Sequence, residues 1–316
     1  MSQPVLYFHR ACYDGAVSAL LAWEYLDLER PGGSTALHSV GYDLKKDWLS
    51  RPLSGATVVD FLFHPDAGLW IDHHSTTFLS PDVEAEFRRT SRPNWIYDPN
   101  AASCAGLLSR WLADRGHRAS AFASAVEWAD RIDGANYPSP AEAVFPSAPA
   151  PLLAQSFSIR RDDAYSVLVV KLLRHHDGDV ARVIEETKIR TAVDAVARRF
   201  RSGLERLKLS FHESDRGIFV FDVTEDDDAI VSRYAPYMLD PQALYSVGTI
   251  RLPGELKITT MRNPWLDFPS VDLGRLCSEF GGGGHHRVGS ILLRGPNAEH
   301  APQIVRALVD RIHRGF

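Results

Sequence analysis

Cysteine is scarce in this chain. Three residues in 316, Cys12, Cys104 and Cys277, are odd in number and far apart. They make neither a disulfide framework nor a CxxC zinc site. Long apolar runs are also missing. The most apolar stretch, around 165–173, contains Lys171 and falls far short of the ~18 residues that span a bilayer. Val5 to Phe8 is too short for the apolar region of a secretory signal. A cytoplasmic protein with reduced thiols and no membrane contact is therefore expected. There is no basic excess either: 35 Lys and Arg stand against 40 Asp and Glu, a formal net charge of -5. That argues against a protein coating long nucleic acid, while leaving room for a local basic pocket. No repeats or low-complexity tracts are visible.

What is present is ordinary globular material, 45% hydrophobic and 24% charged, long enough for two domains with full cores. Short apolar runs alternate with helical patterns over the first 75 residues. Val5 to Phe8, Ala36 to Val40, Ala56 to Val59 and Gly68 to Ile71 read as strands, and Ala16 to Leu26 as a helix. This alternation predicts a doubly wound, mainly parallel α/β sheet. Helices follow at Ala101 to Ala113, with Asn100 as N-cap, and from Ala121 to about Arg131, with Ser120 as cap. Five prolines over 137–151 read as a loop. A charged helical stretch covers about 160–209. A second strand-rich segment then begins at Gly217, with strands at Ile218 to Phe221, Leu244 to Leu252, Leu256 to Met261 and Ser290 to Leu293. Helices are expected over 271–280 and 298–313. The expected division is an N-terminal α/β domain at 1–150, a helical connector at 151–210 and a smaller α/β domain at 211–316.

Thirteen histidines stand out in this composition. Several fall where N-terminal strands finish. The first strand ends in His9, with Cys12 and Asp14 close behind; the third ends in Asp60; the fourth ends in Asp72-His73-His74. Open α/β sheets build their sites at the carboxyl ends of the strands. Any one of these residues alone reads as a turn, cap or structural histidine. Together, imidazoles and carboxylates at three strand ends suit a divalent ion such as Mn²⁺, and burying them without a cation is costly. Carboxylates shared by two ions make a phosphoester site.

Ile71-Asp72-His73-His74-Ser75-Thr76 resembles the signature of the DHH phosphoesterases. Gly281-Gly282-Gly283-Gly284-His285 resembles the glycine-rich signature of their associated C-terminal domain. Order and separation are similar to the oligoribonuclease and 3′-phosphoadenosine-5′-phosphate (pAp) phosphatase branch, over nearly the whole chain. The resemblance implies His9, Asp14, Asp60 and His73 as metal ligands, with Asp60 bridging two ions. It implies Asp72 as an orienting residue and His74 as a group facing the phosphate or the attacking water. One further ligand is implied at Asp130 or Asp133; both fall on similar faces of a helix, and Asp133 also suits the turn at Gly134. Asn100 and Ser103 lie where the family has another polar motif. Cys12 departs from the Asp common at that position, and three readings stay open: a ligand, a buried thiol, or the mark of a weak metal position.

The run from Gly281 to Gly284 reads as an anion nest beside His285, His286 and Arg287, or alternatively as a hinge. No Gly-Lys-Ser/Thr follows, so it is not a P-loop. Arg262 and Asn263 are candidate phosphate contacts, and Trp265 a base stacker or core residue. The acidic run 225–228 and His175-His176 read as solvated loops, and Cys104 and Cys277 as buried small hydrophobes. The expected function is Mn²⁺-dependent (or Mg²⁺- or Co²⁺-dependent) hydrolysis of short single-stranded oligonucleotides or pAp, with two ions. The alternatives are a cyclic dinucleotide phosphodiesterase, an exopolyphosphatase, or a catalytically weak nucleotide-binding protein on the same fold. A homodimer is compatible with all of these.

Overall fold

The structure, a computed structural model, describes residues 3–90, 92–117, 119–210 and 217–315, without the side chains of 119, 120 and 285. Strand β1 (Val5–His9) leads into α1 (Tyr13–Glu29), β2 (Ala36–Val40), β3 (Thr57–Val59) and β4 (Leu69–Asp72). Helix α2 (Pro81–Thr90), β5 (Trp95–Tyr97), α3 (Cys104–Ala113) and α4 (Ala123–Asp133) follow. Then come the short α5 (Pro140–Val144) and α6 (Pro149–Ser156), α7 (Asp163–His175), α8 (Val180–Glu185) and the long α9 (Thr187–Ser210). The remainder is β6 (Ile218–Thr224), α10 (Ala235–Leu239), β7 (Tyr245–Leu252), β8 (Glu255–Arg262), α11 (Leu273–Ser278), β9 (Gly283–His285), β10 (Val288–Arg294) and α12 (Ala301–Arg314). No described helix is long and apolar enough to cross a membrane.

The chain packs as two units, Met1–Asn136 with Ser147–Val193, and Tyr137–Pro146 with Asp194–Phe316. The boundaries differ from the expected 1–150, 151–210 and 211–316. The reason is apolar: Leu153, Phe157, Tyr165, Val169, Leu173 and Val183, all in the supposed connector, are buried in the first unit's core. The proline-rich 137–151 is also more ordered than a loop. Pro140 and Pro149 stand in the first turns of α5 and α6, where a missing N–H costs nothing, and Ser139 Oγ accepts the Glu142 amide.

The first sheet is wholly parallel, in the order β2-β1-β3-β4-β5. Both faces are covered, as parallel sheets require. Alternate residues divide between two cores. Leu6, Phe8, Val59 and Ile71 pack with α1, α3 and α4. Val58 and Trp70 pack into an aromatic cover of Trp48, Phe61, Phe63, Phe78, Phe87 and Trp95. The order reverses direction between β1 and β3, the switch point where such sheets open a crevice at their carboxyl ends. The second sheet is mixed, in the order β6-β7-β8-β10-β9, with only β6 and β7 parallel.

Candidate metal centre

The switch point is where the strand-end residues gather. His9 ends β1 and Asp60 follows β3. Two residues hold a left-handed backbone there, Ala11 at φ 54° and Asp60 at φ 55°. Such geometry is strained for a residue with a Cβ, and it clusters at functional sites. It turns the chain sharply at the ends of β1 and β3. Gly15, in the first turn of α1, makes room, because a Cβ there would meet the His9 carbonyl oxygen and Asp60 Oδ2.

Asp14, Asp60 and Asp72 are all buried, at 0–2% exposure. His73 Nε2 points among carboxylates, 3.2 Å from Asp133 Oδ2, 3.6 Å from Asp14 Oδ2 and 3.9 Å from Asp60 Oδ1. Its Nδ1 lies 3.0 Å from the Ala101 carbonyl oxygen and must donate to it. A neutral His73 would therefore turn the lone pair of Nε2 toward the acids. His9 Nδ1 stands 3.4 Å from Asp60 Oδ2. Asp14 is tied to the start of α3: its Oδ2 accepts the Cys104 amide at 2.7 Å and its Oδ1 the Ala105 amide at 2.8 Å. Asp72 spends its oxygens on orientation. Oδ1 accepts the His73 amide at 2.8 Å and lies 2.8 Å from His74 Nδ1, while Oδ2 accepts the Thr77 hydroxyl.

Among the described residues, eight buried side-chain atoms lack a hydrogen-bond partner, and four are here: His9 Nδ1, both Asp60 oxygens and His73 Nε2. Orphaned buried polar atoms are expensive, and a cluster of them facing one point fits a cation. Three ligand groups form around it: His9, Cys12 and Asp60; Asp60, Asp72, His73 and His74; and Asp14, His73 and Asp133. Within each, the ligand atoms lie within 4.8 Å of one another. The residues present thus fit a divalent ion, and Asp60 and His73 each belong to two groups.

The electrostatics agree. Burial opposes ionisation of Asp60, but the His9, His74 and His73 imidazoles hold its carboxyl below the usual range. Burial, then the Asp60 and Asp133 charges, push Asp14 well up. Burial disfavours the charged forms of His73 and His74, yet their carboxylate partners win. Asp133 and Asp14 raise His73 to about 9, and Asp72 and Asp60 raise His74 to about 10. Burial and the nearby Asp60, Asp133 and Asp14 charges keep the Cys12 thiol well above its ordinary value.

The structure separates the Asp130 and Asp133 alternatives. Asp133 faces His73, whereas Asp130 accepts the Ser103 hydroxyl at 2.6 Å and lies over Gly106, where a Cβ would meet its Oδ1. Ser103, not Asn100, caps α3: its Oγ accepts the Gly106 amide, while Asn100 donates its own amide to Asp98 Oδ1 in an Asx turn. Asn100 is not among the ligand groups. Sequence reasoning missed Thr77, the Ala101 carbonyl and Tyr42, whose ring meets His9 edge-on at 5.2 Å between centroids. A hydroxyl five residues past Asp72 carries no sequence signal.

The second unit departs further from expectation. Arg262 is 7% exposed, and its guanidinium donates to the Asn263 and Phe268 carbonyls while lying 4.2 Å over the Phe268 ring. Asn263 is buried, donating to Pro241 and Ala243 carbonyls and accepting the Trp265 amide. Both are engaged in holding loops. Trp265 donates to the Tyr137 carbonyl and packs on Tyr234 and Tyr237. The second half of the glycine run is strand, with Gly283–His285 pairing β10 as the outer strand of its sheet. At Gly282 a Cβ would meet the Ser290 carbonyl, and at Gly284 the Val288 carbonyl, so close strand approach explains these glycines. Gly283 has open space. His286 and Arg287 are exposed; the side chain of His285 lies outside the described ones. His176 is buried, not in a solvated loop, with Nε2 2.9 Å from Glu186 Oε1.

No protein-family model matches this sequence, and no curated protein matches it either. Solved structures do. A pGpG-specific phosphodiesterase, PggH from Vibrio cholerae, aligns over 99% of both chains with TM-score 0.73 and 19% identity. An exopolyphosphatase-related protein from Bacteroides fragilis covers 98% of this chain and 92% of its own, with TM-score 0.58 and 13% identity. RecJ from Thermus thermophilus, solved with Mg²⁺, aligns over 99% of this chain and 50% of its own, with TM-score 0.56 and 14% identity. The chain has the DHH-domain fold. Within that DHH fold, Asp72-His73-His74 closes β4, and its three side chains separate into an orienting carboxylate, an imidazole among acids and an imidazole held by the carboxylate.

Proposed function

We propose that this protein is a metal-dependent hydrolase of phosphoester bonds in short linear oligonucleotides or small nucleotide phosphates. The observation that carries the reading is the set of four orphaned, buried donor atoms facing one another at the switch point of the first sheet. His9, Asp14, Asp60, His73 and Asp133 would hold the ions, with Asp60 shared between two. The mixture of imidazole and carboxylate suits Mn²⁺, with Mg²⁺ and Co²⁺ as candidates. A bound divalent ion supplies Lewis acidity and an acidified water there. Asp72 fixes the ring of His74 by its Nδ1, and His74 would neutralise charge on the reacting phosphate. Asp14 ties the cluster to the start of α3. In the second unit, exposed His286 and Arg287 beside β9 are the candidate phosphate contacts, in place of the engaged Arg262.

Likeness over the full length to a pGpG-specific phosphodiesterase supports a dinucleotide-sized substrate, as does a net charge that offers no long basic track. The test is hydrolysis with saturating Mn²⁺ of pGpG, pAp, di- to pentanucleotides, longer RNA, a cyclic dinucleotide and polyphosphate. The linear di- to pentanucleotides, pGpG among them, should be cleaved fastest, and Asp60→Ala should abolish turnover. Turnover of polyphosphate alone would replace the substrate assignment, and no hydrolysis of any compound would sink the enzyme reading.

A further inference from the structure

Cys12 is an uncommon residue for its place in the chain. It stands at the N-cap of α1, where a Ser, Thr, Asp or Asn side chain would accept a backbone amide. Its sulfur is a weak acceptor for that place: the Gly15 amide meets it, and its carbonyl accepts the Ala16 amide at 3.1 Å. It is also less buried than Cys104 and Cys277. The left-handed turn at Ala11 swings it back toward the end of β1. There Sγ, a His9 ring nitrogen and an Asp60 oxygen all lie within 4.8 Å of one another. Asp60 is fully buried with both oxygens lacking a hydrogen-bond partner, and His9 Nδ1 lacks one as well. A sulfur, a nitrogen and an oxygen donor thus converge, two of them orphaned.

We propose that Cys12 is a metal ligand, and that His9, Cys12 and Asp60 form a thiolate position selective for a thiophilic divalent ion such as Zn²⁺ or Co²⁺ over Mg²⁺. The inference rests on the reading of the cluster as a metal centre and gives its two sides different tastes. Soft thiolate favours the later transition ions, whereas Mg²⁺ prefers oxygen. The Asp14, His73 and Asp133 group has no sulfur and would accept the harder ions. Ligation breaks the S–H bond, gives the sulfur electron pair to the ion and releases one proton to solvent. No oxidation state changes.

The test uses the full metal-free chain titrated with Co²⁺. Thiolate ligation produces a near-ultraviolet sulfur-to-cobalt charge-transfer band, read without substrate or turnover. The wild type should develop this band, Cys277→Ser should retain it, and Cys12→Ser should lose it while still binding Co²⁺ at the sulfur-free side. In the wild type, Zn²⁺ but not Mg²⁺ should protect one thiol from a disulfide reagent, a reading independent of how any variant folds. By calorimetry, Cys12→Asp should strengthen Mg²⁺ binding and weaken Zn²⁺ binding, each roughly tenfold or more. Co²⁺ bound without the band, a band surviving in Cys12→Ser, or equal protection by Mg²⁺ overturns the thiolate ligand while leaving the metal centre intact. Absence of any Co²⁺ binding overturns both.

Discussion

Asp130 and Asp133 show how one helical turn separates a scaffold carboxylate from a candidate ligand. Asp130 receives the Ser103 hydroxyl, and Asp133 faces His73 Nε2. Asp133→Ala should cut Mn²⁺ affinity roughly 10- to 100-fold by calorimetry, with little change in melting temperature. Asp130→Ala should do the reverse, costing about 1 kcal/mol of stability and leaving Mn²⁺ affinity near wild type. If both variants lose metal equally, the division of labour is wrong. The sequence placed both on similar faces of a helix and could go no further, because the partners, Ser103 and His73, arrive from distant segments. The histidines carry a second expectation. His73 at about 9 and His74 at about 10 are raised above the ordinary 6.5, so each binds its proton more tightly in the folded chain. Their contribution to stability is complete below about pH 6.5 and is lost as pH rises through 9 and 10. Buried Asp14, also raised, acts in the same direction from lower pH. The metal-free protein should therefore melt at falling temperature from pH 6.5 to 10. Metal affinity should climb over the same interval, because binding displaces the His73 proton. A metal-free melting temperature that rises over that interval would contradict the charge arrangement.

At the scale of elements, the N-terminal strands were the most legible feature. β1, β3 and β4 are short apolar runs between polar ends, as strands covered on both faces are, and too short for buried helices. Their polar termini were legible for the same reason, as His9, Asp60 and Asp72 each break such a run. β5 was not, since Trp95–Tyr97 is only three residues long and is closed in by Pro93 and Pro99. α5 and α6 were hidden by prolines, which count as breakers until their first-turn position is known. The glycine run was legible as special, but the reason differed from a phosphate nest. Gly284 has φ 149° and lies against the Val288 carbonyl, whereas Gly283 meets nothing. Gly284→Ala should therefore destabilise the second unit by about 2–4 kcal/mol, and Gly283→Ala by under about 0.5 kcal/mol. Thermal melts of the two variants decide it. Equal losses would mean that the β9–β10 pairing does not demand glycine.

Across the whole molecule, the acidic balance limits how a phosphate-bearing substrate can be held. Two of the chain's cations are spent internally: Arg262 braces two carbonyls, and Arg10 lies between Asp43 and Asp163. Arg262→Ala should accordingly lower stability by about 2–4 kcal/mol, while Arg287→Ala should raise KM and leave the melting temperature unchanged. Few phosphate contacts mean few counterions released on binding. For a substrate held by about two phosphates, the slope of log kcat/KM against log salt should lie near −1 to −2, since each single-strand phosphate contributes about −0.7. Longer RNA should then compete no better than a dinucleotide. A slope approaching about −7, the value for roughly ten contacts, or tight competition by long RNA, would require an extended basic track. The charge balance of 35 against 40 leaves little to build one from.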